Sequence, residues 1–144
     1  MKRPAAINPK DYQRLAAFRH TLRRFLAFSE TAARAAGLTP QQHQALLAIK
    51  GAGSETVGVG DLADQLLLQP NSAAELVDRM VKCGLLMRAE AGDDRRRVVL
   101  SLTPSAEGAL HALSAAHLRE LRYSAPVLDG LLRSLKPDRA RRDR

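Results

Sequence analysis

The sequence predicts a mainly α-helical chain carrying one small β-hairpin, and three observations predict it. Apolar residues recur at helical spacing along most of the 144 positions, and hydrophobic residues make up 45% of the chain. Proline and glycine punctuate these stretches where helices start and stop. Residues 84–103, GLLMRAEAGDDRRRVVLSLT, break the helical period. There two short β-type runs, Leu85–Met87 and Val98–Leu102, flank a polar turn with Gly92, Asp93 and Asp94.

Each element follows from local chemistry. Over residues 11–36, Leu15, Phe18, Leu22, Phe25 and Ser29 fall in steps of three and four, with Leu26 adjacent. That is one stripe of a long first helix, which Gly37 ends. In LTPQQHQALLAIKG, Thr39 is the expected N-cap, Pro40 the first helical residue and Gln42 the partner in a capping box. Ala45, Leu46 and Ile49 face inward, and Gly51 and Gly53 close the helix. Thr56–Val59 is expected to form one short strand, and after Gly60 a short helix turns Leu62, Ala63 and Leu66 inward. Pro70 restarts a helix whose buried side is expected at Leu76, Val77, Met80 and Gly84. Thr103-Pro104 opens another helix to about Tyr123, with Ala106, Ala109, Leu110, Leu113, Ala116, His117 and Leu121 on one side. Pro126 is expected to restart a last helix through Val127, Leu128, Leu131, Leu132 and Leu135 before Pro137.

Composition narrows the function. No apolar run approaches the ~20 residues that span a bilayer, and the N-terminus MKRPAAINPKDYQ lacks an apolar signal region. The single Cys83 allows no intrachain disulfide and fits a reducing compartment, so a cytoplasmic protein without membrane contact is expected. The net charge is +8. From residue 133 to 144, Arg133, Lys136, Arg139, Arg141, Arg142 and Arg144 stand against Asp138 and Asp143, a net of +4 that leaves +4 for the rest. This balance favours a polyanionic partner.

Two short helices joined tightly and followed directly by a hairpin form a winged helix-turn-helix lobe, expected over 38–103. The flanking helices, 11–37 and 104–136, carry more apolar surface than such a lobe covers, which points to a two-fold homodimer built on them. Residues 137–144 form a basic tail, and the whole chain reads as a single domain.

Duplex DNA is read by polar side chains at the N-terminal end of a helix in the major groove. Here that end presents Gln69, Asn71, Ser72 and Glu75, with Pro70 and Ala74 small enough for close approach. Asn and Gln pair with adenine and Glu accepts from cytosine, each pairing worth about 1–3 kcal/mol of discrimination. A solvated helix glutamate is the other reading of Glu75. Arg79 and Lys82, later in the helix, meet phosphates or pair with Asp78 or Glu75. Arg95, Arg96 and Arg97 at the hairpin tip suit the negative minor groove.

These residues resemble the multiple-antibiotic-resistance regulator (MarR) family of winged-helix transcription factors. LTPQQHQALLAI resembles that family's second helix, VGDLADQL its third, and LVDRMVKCGLL the end of its recognition helix. The strongest match is Asp94-Arg95-Arg96, five residues, then Leu102-Thr103, with Gly108 shortly after. The resemblance implies that Asp94 and Arg96 shape the wing through an aspartate–arginine contact while one tip arginine, Arg95 or Arg96, enters the groove. It also implies repression of transcription and a small apolar or aromatic effector bound between the dimer helices and the DNA-binding lobe. Two positions depart from the pattern. Leu67 stands at the turn where the family often has glycine, which is expected to alter the helix-turn-helix angle, and Glu75 stands where a basic or polar DNA contact is common.

Other classes fit less. No nucleophile motif, phosphate loop or helix-borne His-Glu pair is present, so no catalytic residue and no cofactor are expected. Cys83 follows Lys82 and reads as a small semi-buried residue; the family's peroxide sensors carry their cysteine in the first helix. A metal-responsive regulator using His43, His111 and His117 is an alternative, although the six-residue step from His111 to His117 puts them on different helix faces. The five aromatics, Tyr12, Phe18, Phe25, Phe28 and Tyr123, lie in the first and fifth helices and suit a dimer core or an apolar pocket. A non-enzymatic protein-interaction module on the same fold is the remaining alternative.

Overall fold

The computed structural model describes residues 6–91 and 94–135, and for Ala91 and Asp94–Arg97 the backbone alone. In chain order it contains α1 (Pro9–Ala35), α2 (Pro40–Gly51), α3 (Val59–Leu66), α4 (Pro70–Lys82), β1 (Leu86–Ala91), β2 (Asp94–Leu102) and α5 (Pro104–Ser134). Two compact units divide it: one is Glu30–Ala116, the other the described parts of Met1–Ser29 and His117–Arg144.

Caps account for most helix starts. Asn8 and Asp11 exchange bonds, Asn8 N–H to Asp11 Oδ2 at 2.9 Å and Asp11 N–H to Asn8 Oδ1 at 3.1 Å, so α1 begins at Pro9, ahead of the expected position 11. Thr39 and Gln42 form the expected box on α2, at 3.0 and 3.1 Å. Asp61 Oδ2 accepts from Gly58 N–H at 2.9 Å and sets the first turn of α3 at Val59. Because the chain turns helical there, the expected strand at Thr56–Val59 does not form; one bond remains, Leu100 N–H to Val57 C=O at 2.8 Å.

Three helices end in the same way. After α1, Gly37 N–H reaches Arg34 C=O and Leu38 N–H reaches Ala33 C=O. After α3, Leu67 N–H reaches Asp64 C=O and Leu68 N–H reaches Ala63 C=O; after α4, Gly84 and Leu85 repeat the pattern to Val81 and Met80. This is the Schellman closure, which requires a left-handed residue at its corner. Gly37 and Gly84 supply it at φ 80° and 78°, and Leu67 supplies it at φ 54°, ψ 42°. Leucine at this turn therefore adopts a left-handed conformation of the kind glycine favours. Gly84 is exposed at its corner and does not mark the buried side of α4, which is Ala73, Leu76, Val77 and Met80.

The core of the Glu30–Ala116 unit gathers Leu46, Leu62, Val77, Met80 and Leu86 with Leu100, Leu102, Ala106, Leu110 and Leu113. His43 is buried with it, at 3% exposure. β1 and β2 pair antiparallel from Leu86↔Leu102 to Glu90↔Val98 and then shift to Ala91↔Asp94. Over that step β1 advances by one residue and β2 by four, so Arg95–Arg97 are the extra residues of β2.

In the other unit, His117 Nε2 lies 2.8 Å from Ser29 Oγ, and its ring meets Phe25 and Phe28 edge-on at 5.8 and 5.3 Å. α5 runs unbroken through Pro126, so no separate last helix starts there. Proline's φ near −65° is helical; its missing N–H forfeits the bond to the Arg122 carbonyl, and its ring crowds that same carbonyl.

Candidate nucleic-acid interface

Helix α4 presents two chemically distinct sides because its apolar residues recur at the helical period. Ala73, Leu76, Val77 and Met80 are buried, each at 2% exposure or less. At 100° per residue, Asn71, Ser72, Glu75, Asp78, Arg79 and Lys82 share an arc of about 120° on the other side, and all are exposed. Gln69 and Pro70 are exposed at the start of the helix, and Ala74 is half-buried on the flank.

The N-terminal end of α4 has no side-chain cap. Gln69 is the N-cap, in extended conformation at ψ 147°, yet its side chain makes no capping bond. The first turn holds no acidic residue, so the positive end of the helix is not neutralised there. Glu75, Arg79 and Lys82 form no ion pair among the described residues.

Of the alternatives open to Arg79 and Lys82, pairing with Asp78 is not what the structure shows. Asp78 pairs with Arg88 of β1. Arg88 is two residues beyond buried Leu86, so period-2 alternation puts it on the strand face that looks toward α4. The contact ties α4 to the hairpin. Cys83 is exposed, not semi-buried, and its thiol donates to Met80 C=O at 3.5 Å.

The base of the hairpin is fastened by Thr103. Its Oγ1 donates to Gly84 C=O at 2.6 Å and accepts from Ala106 N–H at 3.2 Å, while its own N–H reaches Leu85 C=O at 3.2 Å. Leu102 beside it is buried. One residue thus caps α5 and closes the turn after α4. The side chains of Asp94, Arg95, Arg96 and Arg97 lie outside the described residues, as do Gly92, Asp93 and the basic tail 137–144.

Away from this face, an open groove of about 680 Å³ separates α2 from α3, with Glu55, Asp61 and Asp64 among its lining residues. Its carboxylates are ill suited to phosphate. Among the described residues, no three His, Cys, Asp or Glu side chains gather as a metal site, and no helix is long and apolar enough to cross a membrane.

Residues 36–97 match the sequence model of the MarR family. An uncharacterised HTH-type transcriptional regulator of Bacillus subtilis, YcgE, is 36% identical over 83 residues, which are 58% of this chain. The chain spans about half the length of that curated relative, 53%. A MarR family protein from Bacillus stearothermophilus superposes with a TM-score of 0.72 at 23% identity, over 90% of this chain and 96% of the other. AbsC, a MarR family transcriptional regulator from Streptomyces coelicolor, gives 0.70 at 18% identity over 93% and 95%. A MepR variant from Staphylococcus aureus, bound to an oligodeoxyribonucleotide, gives 0.66 at 18% identity over 87% and 98%.

Proposed function

We propose that this winged-helix chain, whose residues 36–97 match the model of the MarR family of transcription regulators, is a sequence-specific, double-stranded DNA-binding repressor that acts as a homodimer. The observation that carries this reading is the polar side of α4. Gln69, Asn71, Ser72 and Glu75 stand exposed at the N-terminal end of a helix whose opposite side is locked in the core. Pro70 and Ala74 leave room for the duplex, and Arg79 with Lys82 meets phosphates. Arg95 or Arg96 enters the neighbouring minor groove from the wing, Arg97 adds to the local positive charge, and Asp94 shapes the tip. The oligodeoxyribonucleotide bound to the MepR variant supports the same use of this fold.

The apolar surface supports the homodimer. Among the described residues, twelve of the sixteen large apolar side chains that stand exposed belong to Met1–Ser29 and His117–Arg144, among them Leu15, Leu22, Leu26, Leu118 and Leu132. No described residue of that unit is fully buried. A helical pair without a core of its own is completed by a second copy. A small apolar or aromatic effector releases the DNA by binding one spacing of the two recognition helices better than the other. The protein is not an enzyme in this reading.

Selection from random duplexes at moderate salt tests the proposal. The expected product is a pseudo-palindrome with half-sites roughly one helical turn apart. Recovery of no enriched two-fold site, with no salt-dependent binding to random duplex, would favour the protein-interaction module instead.

A further inference from the structure

The corner between α3 and α4 holds the most exposed large apolar side chain of the described residues, Leu67 at 92%. It is also left-handed, in the turn position that Gly37 and Gly84 occupy after α1 and α4. The neighbouring Leu68 packs against the core, so Leu67 adds nothing to it. Glycine at this corner would relieve the backbone and remove exposed apolar surface. Stability of the fold therefore gives no reason for leucine here, and its reason lies outside the chain.

Position narrows what it meets. Only Leu68 separates Leu67 from Gln69, so its Cα lies within about 7 Å of the α4 N-cap. The Schellman bonds, Leu67 N–H to Asp64 C=O at 3.4 Å and Leu68 N–H to Ala63 C=O at 2.9 Å, hold its backbone in one conformation. The reading face itself offers hydrogen-bonding groups at Asn71, Ser72 and Glu75, which recognise the nitrogen and oxygen edges of bases. A thymine C5-methyl offers no such group and is recognised by apolar contact alone.

We propose that Leu67 is a specificity-determining residue, packing its isobutyl group on the C5-methyl of a thymine at the edge of the half-site read by α4. This rests on the DNA-binding reading and adds to it a base that the recognition helix does not itself contact. A side chain anchored on a fixed corner loses little freedom on docking, which keeps a single methyl contact worthwhile.

The test uses the duplex enriched from random selection, with each thymine replaced singly by deoxyuridine, which lacks only the methyl group. The full-length protein and the variants Leu67→Gly and Leu67→Ala are titrated against every substituted duplex, with folding checked by thermal melting. At one thymine per half-site, deoxyuridine weakens the unaltered protein about fourfold, the worth of one buried methyl-sized group. Both variants are insensitive at that position and respond as before at every other thymine. Equal sensitivity of all three proteins at every position overturns the proposal, as does an unaltered protein indifferent to all the replacements. Failure of the unaltered protein to bind any duplex overturns the DNA-binding reading, and this proposal with it.

Discussion

At the scale of single residues, Leu67 and Thr103 show how much one side chain decides. A left-handed non-glycine residue costs about 1–2 kcal/mol. Replacing it with glycine returns that strain and loses about 0.4–1 kcal/mol by loosening the unfolded chain. The balance favours glycine, so Leu67→Gly raises the melting temperature by about 3 °C, read by circular dichroism. A lower melting temperature would mean that the left-handed corner is absent in solution. The Asp78–Arg88 pair acts differently. Its side chains are 55% and 41% exposed, so it contributes about 0.2–1 kcal/mol and serves to aim the hairpin against α4. Thr39, Gln42 and Thr103 were legible from sequence as caps because a cap is a contact within three residues. Arg88 was not, since its partner lies ten residues away on another element. The Asn8–Asp11 cap was local and legible in the same terms, yet the apolar stripe alone put the start of α1 at residue 11.

At the scale of elements, the recognition helix and the hairpin carry separate parts of the proposed function. The helix discriminates among bases and the wing adds charge, and the two are separable by salt. Changing Arg95 and Arg96 together to Ala weakens DNA binding and flattens the slope of log affinity against log salt by about 1–2 units. An unchanged slope and affinity in that variant would remove the wing from the mechanism. The two sides of α4 were readable because apolar residues at 73, 76, 77 and 80 impose the helical period. The hairpin is longer than its apolar runs suggested, Leu86–Ala91 with Asp94–Leu102, because backbone pairing continues where the side chains are charged. Proline misled for a related reason. Pro70 does open a helix, but Pro126 sits inside one, where the surrounding turns outweigh a single lost hydrogen bond.

At the scale of the whole molecule, the unequal burial of the two units is the main fact. Among the described residues, one holds every fully buried residue and the other most of the exposed leucines. Leu22→Asp places a charge on the α1 stripe and is expected to convert the proposed dimer to a monomer in sedimentation equilibrium, while the Glu30–Ala116 unit keeps its fold. A variant that remains dimeric would place the two-fold interface elsewhere. The same variant loses tight binding to a two-fold site, since only a dimer engages both half-sites.

The sequence by itself determined the first four helices in outline, the caps at Thr39 and Thr103, the place of the hairpin and the polar side of α4. All of these follow from contacts within a turn or from the period of apolar residues. Only the tertiary structure decided that Leu67 takes the left-handed corner, that Asp78 belongs to Arg88, and that Thr103 closes a turn nineteen residues before it. It also decided that Val57 keeps one strand bond and no strand. These depend on which distant segments the core brings together, and burial of that core outweighs the local preferences that a sequence displays.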